Sequence, residues 1–232
     1  MGRGNRASTI DGDASNLVRL PVNTANPATV TQALKNSHAK DQPYLDCGTN
    51  ALVVVNPGRA LALMHDESAK RYAREYKDVD GTEASPLPPH VFSLASKAYL
   101  HLRRLGQDQA IIMSGVAGSG KTESHRALVR QLCLLAAHSK KDAKMHAQVQ
   151  QAQHVLEAFG NVRSANNPNA SCYGLFEELQ FNERGRVVGA KFLTFGFEKT
   201  RMLAAGPQER SFHAFYYLLA GATSEERQRW QL

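Results

Sequence analysis

The chain has 232 residues, of which 42% are hydrophobic and 21% are charged, an apolar content sufficient to bury a core in a soluble protein. Lys and Arg outnumber Asp and Glu by 28 to 21, and this surplus suits either an anionic partner or an ordinary solvated surface. The three separated cysteines form no C-x-x-C pair and the histidines no H-E-x-x-H spacing. These patterns exclude a disulfide framework and a zinc site, and they favour a reducing intracellular compartment.

Neither a secretory signal nor a membrane span is predicted. The N-terminal segment MGRGNRASTIDGD lacks an apolar core region, and no apolar run approaches the length of about 18 residues that a span requires. Because the chain also lacks an RNA-recognition or helix-turn-helix signature, we expect no nucleic-acid binding.

The first half of the chain predicts a tail, three helices and one strand. Residues 1–14 are polar and glycine-rich and predict a disordered tail. A helix is expected after Asn26 as N-cap and Pro27 at its first position. The β-branched run at residues 51–55 predicts a strand covered on both faces. Two further helices are expected, an exposed charged one at 65–76 and an amphipathic one with a single buried stripe at 91–105.

The second half alternates strands and helices, which predicts an α/β sheet. A strand at 110–114 leads into a glycine turn and a helix, whereas the lysines of residues 138–148 indicate a solvated loop. A further helix ends at Gly160, and residues 174–197 predict an antiparallel hairpin around the turn 182–185. The last helix, 209–221, should pack Phe212, Phe215, Tyr216 and Leu219 on one side.

The glycine turn matches the phosphate-loop pattern Gly115-x-x-x-x-Gly120-Lys121-Thr122 in full. Its glycines let backbone N–H groups point inward, and the following helix adds its N-terminal donors and dipole. The Lys121 ammonium can reach the β- and γ-phosphates, and the Thr122 hydroxyl can bind Mg²⁺. The residues alone therefore predict nucleotide binding, with an unrelated phosphate-loop NTPase or kinase still open as an alternative.

Seven collinear stretches together resemble the motor domain of myosin, over most of residues 15–222. They are ALVVVNP, PPHVFSLASKAY, GVAGSGKTE, VLEAFGN, NNPNASCYG, VVGAKFLTFGFEKTR and ERSFHAFYYLLAGA. The resemblance implies a P-loop NTPase fold, namely the N-terminal third of a myosin central sheet with its flanking helices, and one partial motor domain over residues 15–232. Its phosphate loop would be residues 115–123 and its switch I residues 166–174. Residues 138–145 would be a variable surface loop near the nucleotide entrance.

The resemblance also implies a ligand set, cofactors and a partner. ATP and Mg²⁺ would be the cofactors, actin the partner, and the cytoplasmic cytoskeleton the location, with the actin-binding surface outside this chain. Lys121 and Asn169 would serve catalysis, and Thr122 and Ser171 would coordinate Mg²⁺. The nucleotide would be held by Asn56, Pro57, Gly115, Val116, Ala117, Gly118, Ser119, Gly120, Lys121, Thr122, Glu123, Asn167, Asn169 and Ser171.

The chain departs from the family pattern at switch I. Ala170 stands where the family has a serine that positions water, and Cys172 stands where it has an arginine that pairs with a switch II glutamate. A thiol cannot make a bidentate pair with a carboxylate, and losing one such contact costs on the order of 10²–10³ in rate. Ala117 replaces a serine of the phosphate loop, and Met64 and the pair Gly58-Arg59 differ from the usual residues near the adenine.

No switch II segment of the form Asp-x-x-Gly-Phe-Glu occurs in the sequence, and the resemblance stops at Leu232. We therefore expect a fragment, or a chain that needs a partner such as the remainder of the motor. ATP hydrolysis is left open. A degenerate module that binds nucleotide without hydrolysing it is the alternative, because Ala170 and Cys172 remove groups needed for turnover.

Overall fold

The structure is a computed structural model and describes residues 16–19, 26–48, 50–78 and 87–232. The predicted tail of residues 1–14 lies outside these described residues. The chain divides into two compact units, Met1–Leu100 and His101–Leu232.

The first unit begins with a capped helix and a small antiparallel pair of strands. Its elements are α1 (Pro27–Ala39), β1 (Tyr44–Asp46), β2 (Leu52–Val54), α2 (Asp66–Asp78) and the start of α3 (Val91–Leu105). The Asn26 side chain accepts from the Thr29 N–H at 2.9 Å, which confirms the predicted cap. The predicted strand at 51–55 is also present, but it pairs antiparallel with β1 and is only half-buried. The prediction that it is covered on both faces was wrong.

An aromatic cluster forms the core of the first unit. The buried His90 ring lies 4.3 Å from the Tyr44 and Phe92 rings and 5.1 Å from that of Tyr72, measured between centroids. Helix α2, which the sequence predicts to be exposed, buries Tyr72 and Tyr76 against this core. Its charged residues occupy the opposite face, so the helix is amphipathic rather than fully solvated.

Two long helices dominate the second unit. They are α4 (Lys121–Ala136) and α5 (Lys140–Gly160). Arg126 near the start of α4 is bonded to Glu157 near the end of α5, at 2.8 Å from Nε to Oε1, so the helices run antiparallel. The predicted end of α5 at Gly160 is confirmed.

The loop predicted for residues 138–148 is instead the first part of α5. Ser139 caps the helix by accepting from the Asp142 N–H at 3.3 Å, and the Asp142 carboxylate accepts from the His138 N–H at 2.9 Å. Lysines are good helix formers, and Lys140, Lys141 and Lys144 are exposed on the solvated side of this helix. This segment also lies at the far end of α4, which spans about 24 Å at 1.5 Å per residue, and not beside the glycine turn.

The strands of the second unit form two small antiparallel sheets. In one, β3 (Asn161–Arg163) pairs with both β4 (Ala170–Ser171) and β7 (Arg210–Phe212). The other is the hairpin of β5 (Gly174–Phe181) and β6 (Val187–Phe195). Its turn is closed by the Gly185 N–H, which donates to the Asn182 carbonyl at 2.8 Å. The predicted hairpin is confirmed.

The strand predicted at residues 110–114 does not form, since none of the described strands pairs with this segment. Ile112 is 89% exposed, as expected for an apolar residue that lacks a neighbouring strand. The part of the chain that the structure describes thus contains helices together with three small sheets. The single sheet predicted from the alternation of elements is not present among them.

The core of the second unit lies between α4, α5 and the hairpin. Val129, Cys133 and Val149 are buried, and residues of both hairpin strands pack against them: Leu179, Ala190 and Phe192.

The chain ends in α6 (His213–Gly221) and α7 (Ser224–Trp230). The predicted aromatic packing of the last helix is wrong for the described residues, because Phe212 belongs to β7 and Phe215 is 46% exposed. Helix α6 has no buried residue, so its apolar side chains face solvent within the described part. None of the helices that the structure describes has the length and apolar character needed to cross a membrane.

Candidate functional site

The glycine turn between residue 115 and α4 has a backbone that only glycine adopts readily. Gly118 and Gly120 have φ values of 76° and 91°, which lie in the left-handed region. At Gly115, where φ is 153°, an added Cβ would lie 2.6 Å from the Ser119 Oγ. The turn therefore requires its glycines for backbone conformation and for space.

Lys121 is the first residue of α4 and folds back over the turn. Its Nζ donates to the carbonyl oxygens of Gly115 and Val116, both at 2.8 Å. Two hydrogen bonds to the turn's own backbone hold the ammonium group at the mouth of the glycine loop. The positive charge is thereby placed beside the N-terminus of α4, where backbone donors are concentrated.

Thr122 and Ser171 bring the glycine turn together with the switch I segment. Their hydroxyl oxygens, Oγ1 and Oγ, are 3.1 Å apart. Thr122 is the second residue of α4, and Ser171 is the last residue of β4. These two residues, predicted as metal ligands, are thus neighbours in the structure.

The predicted residues Asn167 and Asn169 shape the turn before β4. The Asn167 carbonyl accepts from the Ser164 N–H at 2.9 Å, and its side-chain Oδ1 accepts from the Asn169 N–H at 2.9 Å. The Asn169 Oδ1 is 2.8 Å from the Asn161 Nδ2 and 3.1 Å from the His213 Nε2. Asn169 therefore has partners on β3 and at the start of α6, whereas the partners of Asn167 lie within the turn itself.

Cys172 lies beside an ion-pair cluster. Arg201 bridges two carboxylates, at 2.9 Å to Glu198 and 3.1 Å to Glu209. The Cys172 thiol contacts Glu198, and burial raises its pKa.

Glu123, the last residue of the predicted phosphate loop, is paired with Arg126, and the same arginine is bonded to Glu157. Glu157 is only 15% exposed in its side chain. This network joins the residues that follow the glycine turn to the end of α5. The spacing of Glu123 and Arg126 is a helical ion-pair signal that the sequence offered, whereas the contact across to α5 has no sequence signature.

A second buried carboxylate, Glu177 of β5, was not predicted. Its Oε2 accepts from the Gln153 Nε2 at 2.7 Å and lies 3.1 Å from the His125 Nε2, and its side chain is 2% exposed. These contacts join α4, α5 and the hairpin. A glutamate that is followed by a second glutamate, Glu178, gives no sequence signal for burial, since glutamates are usually exposed.

Asn56 and Pro57, predicted to lie beside an adenine, belong to the first unit and follow β2. The Asn56 Oδ1 accepts from the Gly58 N–H at 3.0 Å, a side-chain turn that ends the strand. Nearby in the same unit, the Tyr44 hydroxyl donates to the Met64 Sδ at 2.7 Å. Arg59 forms an ion pair with Asp41.

The similarity of the chain to a known protein family agrees with this arrangement of motifs. The profile of the family described as Myosin head (motor domain) matches residues 15–232. The chain therefore belongs to the myosin head (motor domain) family, which confirms the resemblance found in the sequence. Membership in this family implies a P-loop NTPase fold.

Individual relatives are similar over most of the chain. Chitin synthase 8 of Mycosarcoma maydis is 39% identical over 87% of the chain and 10% of the relative. Unconventional myosin-IXb of Rattus norvegicus is 37% identical over 95% of the chain and 11% of the relative. Myosin-VIIa of Drosophila melanogaster is 36% identical over 78% of the chain and 8% of the relative. The chain thus spans about a tenth of the length of these curated relatives.

Proposed function

We propose that the chain is the nucleotide-binding part of a myosin-type motor and holds Mg·ATP between the glycine turn and switch I. The 3.1 Å approach of the Thr122 and Ser171 hydroxyls carries this proposal. An octahedral Mg²⁺ holds its oxygen ligands at roughly 2.0–2.1 Å, so two adjacent ligands lie about 2.9 Å apart. The hydroxyl pair fits that spacing with a small adjustment.

The residues of the glycine turn would bind the phosphates. Backbone N–H groups of residues 115–120 and of the start of α4 provide donors. Lys121 supplies a positive charge, and its ammonium group donates to two backbone carbonyls in the structure. On binding, this ammonium would exchange a carbonyl for a phosphate oxygen, which is the stronger acceptor. When bound, Mg²⁺ neutralises charge on the β- and γ-phosphate oxygens.

The remaining predicted residues keep supporting roles in the proposal. Val116, Ala117, Ser119 and Glu123 complete the loop, Asn167 and Asn169 shape switch I, and Asn56 and Pro57 would lie beside the adenine. We also propose that residues 15–232 form one partial motor domain. Binding to actin and association with the cytoskeleton would follow from the motor class, through surfaces outside this chain.

Substitution of Lys121 tests the proposal. Lys121→Ala should weaken Mg·ATP binding on the order of 100-fold or more, because hydrogen bonds to charged groups are worth about 1.5–3 kcal/mol each. Lys144→Ala removes an exposed lysine from α5 and is the matched control, with unchanged affinity expected. Calorimetric titration with Mg·ATP measures both. Equal affinities for the wild type and Lys121→Ala, with equal melting temperatures, would exclude the phosphate loop as the binding site.

A second candidate function is nucleotide binding without turnover. It is favoured by Ala170, which has no hydroxyl, and by Cys172, whose thiol contacts Glu198 and cannot make a bidentate pair with a switch II carboxylate. A single-turnover assay with radiolabelled ATP separates the two candidates. Bound ATP that stays intact supports the binding module, and release of phosphate at a rate above the buffer blank supports the ATPase.

Two of the curated relatives suggest an alternative protein context for the chain. Chitin synthases of Mycosarcoma maydis and of Cryptococcus neoformans var. grubii are 39% and 40% identical to the chain, whereas the myosins named above are 36% and 37% identical. We propose, as an alternative context, a protein that joins this myosin-head segment to a chitin synthase. Sequencing of the transcript beyond the codon for Leu232 tests it. A frame that encodes switch II and then a tail without a glycosyltransferase would refute the chitin synthase context.

A further inference from the structure

We propose that His213 is a positioning residue, which fixes the Asn169 side chain so that its amide N–H group is available to a bound nucleotide. The inference rests on the proposed function and deepens it, since it explains how one switch I side chain is oriented. It begins from two contacts: the Asn169 Oδ1 is 2.8 Å from the Asn161 Nδ2 and 3.1 Å from the His213 Nε2.

The three-stranded sheet places these residues on one face. Asn161 of β3 is paired with Ser171 of β4, and paired residues share a face. The Asn169 side chain is bonded to Asn161, so it lies beside the same β3 residue that is paired with Ser171. Next to Asn161 on β3, Val162 is paired with Phe212, which directly precedes His213 at the start of α6.

This face is also the one that meets the glycine turn, because Ser171 on it contacts Thr122 at 3.1 Å. An asparagine side chain has one acceptor oxygen and one amide group with two donors. If Asn161 and His213 both donate to the Asn169 oxygen, the Asn169 amide is turned away from them and is free to serve as a donor to phosphate oxygens. An oxygen in that position would instead repel a polyphosphate.

The orientation depends on the tautomer of His213. Donation from the His213 Nε2 requires the proton on that nitrogen. The reversed network, in which Asn169 donates its amide to both Asn161 and His213, requires a neutral His213 with its proton on Nδ1. Asn161 is fully buried, and its Oδ1 has no hydrogen-bond partner within the described residues. The orientation of the Asn161 and Asn169 amides therefore depends on which nitrogen of His213 carries the proton.

The first test needs no nucleotide. Imidazole nitrogen shifts of the ¹⁵N-labelled full chain, recorded at about pH 8 where an ordinary histidine is neutral, report the tautomer of His213. The Nε2–H form is expected. The Nδ1–H form would overturn the inference without affecting the proposed function.

The second test compares two substitutions of His213. His213→Leu removes the donor, whereas His213→Gln supplies a side-chain N–H at a similar distance from the backbone. The affinity for Mg·ATP should fall about tenfold in the leucine variant, as for loss of one hydrogen bond to a charged group, and stay within about twofold of wild type in the glutamine variant.

The outcomes separate the inference from the proposed function. A wild-type chain that does not bind Mg·ATP refutes the proposed function, and the tautomer then decides the orientation alone. A folded leucine variant with wild-type affinity refutes the role of His213. If the melting curve shows that the leucine variant does not fold, the inference is judged from the glutamine variant and from the tautomer of His213. A tenfold loss of Mg·ATP affinity in a folded glutamine variant then counts against the inference.

Discussion

The hydroxyl oxygens of Thr122 and Ser171 lie 3.1 Å apart although the two residues are separated by 49 positions in the chain. One is on the first turn of α4 and the other at the end of β4. This contact links the start of α4, directly after the glycine turn, to the segment predicted as switch I, residues 166–174.

The Thr122 hydroxyl should carry the Mg²⁺ dependence of ATP binding. In wild type we expect Mg²⁺ to raise the affinity for ATP, and in Thr122→Val this enhancement should fall about tenfold, because one ligand to a charged group is lost. Thr122→Ser retains the hydroxyl and is the control. Titrations with ATP in the presence of Mg²⁺ and of EDTA measure the effect. A valine variant with the full Mg²⁺ enhancement would contradict the assignment.

The contact of Arg126 with Glu157 should stabilise the pair of long helices. Glu157→Gln leaves Arg126 without its 15% exposed partner, and we expect a loss of about 1–3 kcal/mol in the free energy of unfolding, less than for a fully buried pair. Glu123, the other partner of Arg126, has a side chain that is 65% exposed. Its replacement in Glu123→Gln should lower the free energy of unfolding by about 0.5 kcal/mol. Urea unfolding followed by circular dichroism measures both. Equal losses would show that burial of the pair does not matter.

Asp142 should make α5 sensitive to acid. The backbone N–H of His138 and the hydroxyl of Ser139 lower the pKa of its carboxyl group below the ordinary value. Because the pKa is lower in the folded chain, this stabilisation is complete above the unfolded pKa of about 4. It is lost as the pH falls through the folded value.

Asp142→Asn should therefore be less stable than wild type at neutral pH, and the difference should shrink below about pH 4. Melting temperatures recorded across this range test the prediction. Asp108→Asn, which changes an exposed aspartate in the loop after α3, is the control. A constant difference between Asp142→Asn and wild type at every pH would count against the cap.

The three cysteines should react with alkylating agents in a fixed order. Cys133 is 3% exposed, and burial raises the pKa of its thiol to about 12, so little of the reactive thiolate forms. Cys172 is half-buried, and burial raises its pKa as well, whereas Cys47 is exposed. Iodoacetamide labelling followed by peptide mass spectrometry should show Cys47 first, then Cys172, and Cys133 only in urea. Early labelling of Cys133 would contradict its burial.

Local signals predicted the elements that depend on nearby residues. Asn26 with Pro27 marked the start of α1, and the turn near Gly185 marked the hairpin, because caps and turns are determined by a few adjacent side chains. The glycine turn and Lys121 were recognised for the same reason. The start of α5 was missed, although Ser139 and Asp142 form a capping signal, because the neighbouring lysines were interpreted as a loop.

Features that depend on distant partners were not predicted. The apolar run at 110–114 has the composition of a strand, but a strand exists only with a neighbour, and no described strand pairs with it. The burial of Glu177 depends on His125 and Gln153 from two different helices. The pairing of Asn161 with Asn169 follows from the register of β3 and β4, which no single stretch of sequence specifies.

The antiparallel course of α4 and α5 has a practical consequence for protein engineering. The turn at residues 137–139 lies about 24 Å from the glycine turn, the length of a 16-residue helix. Extra residues inserted there would lengthen only the remote tip, since the contact of Arg126 with Glu157 keeps the near ends of both helices in register. A fluorescent reporter fused at this tip would be attached to α4, whose first two residues are Lys121 and Thr122, without entering the proposed nucleotide site.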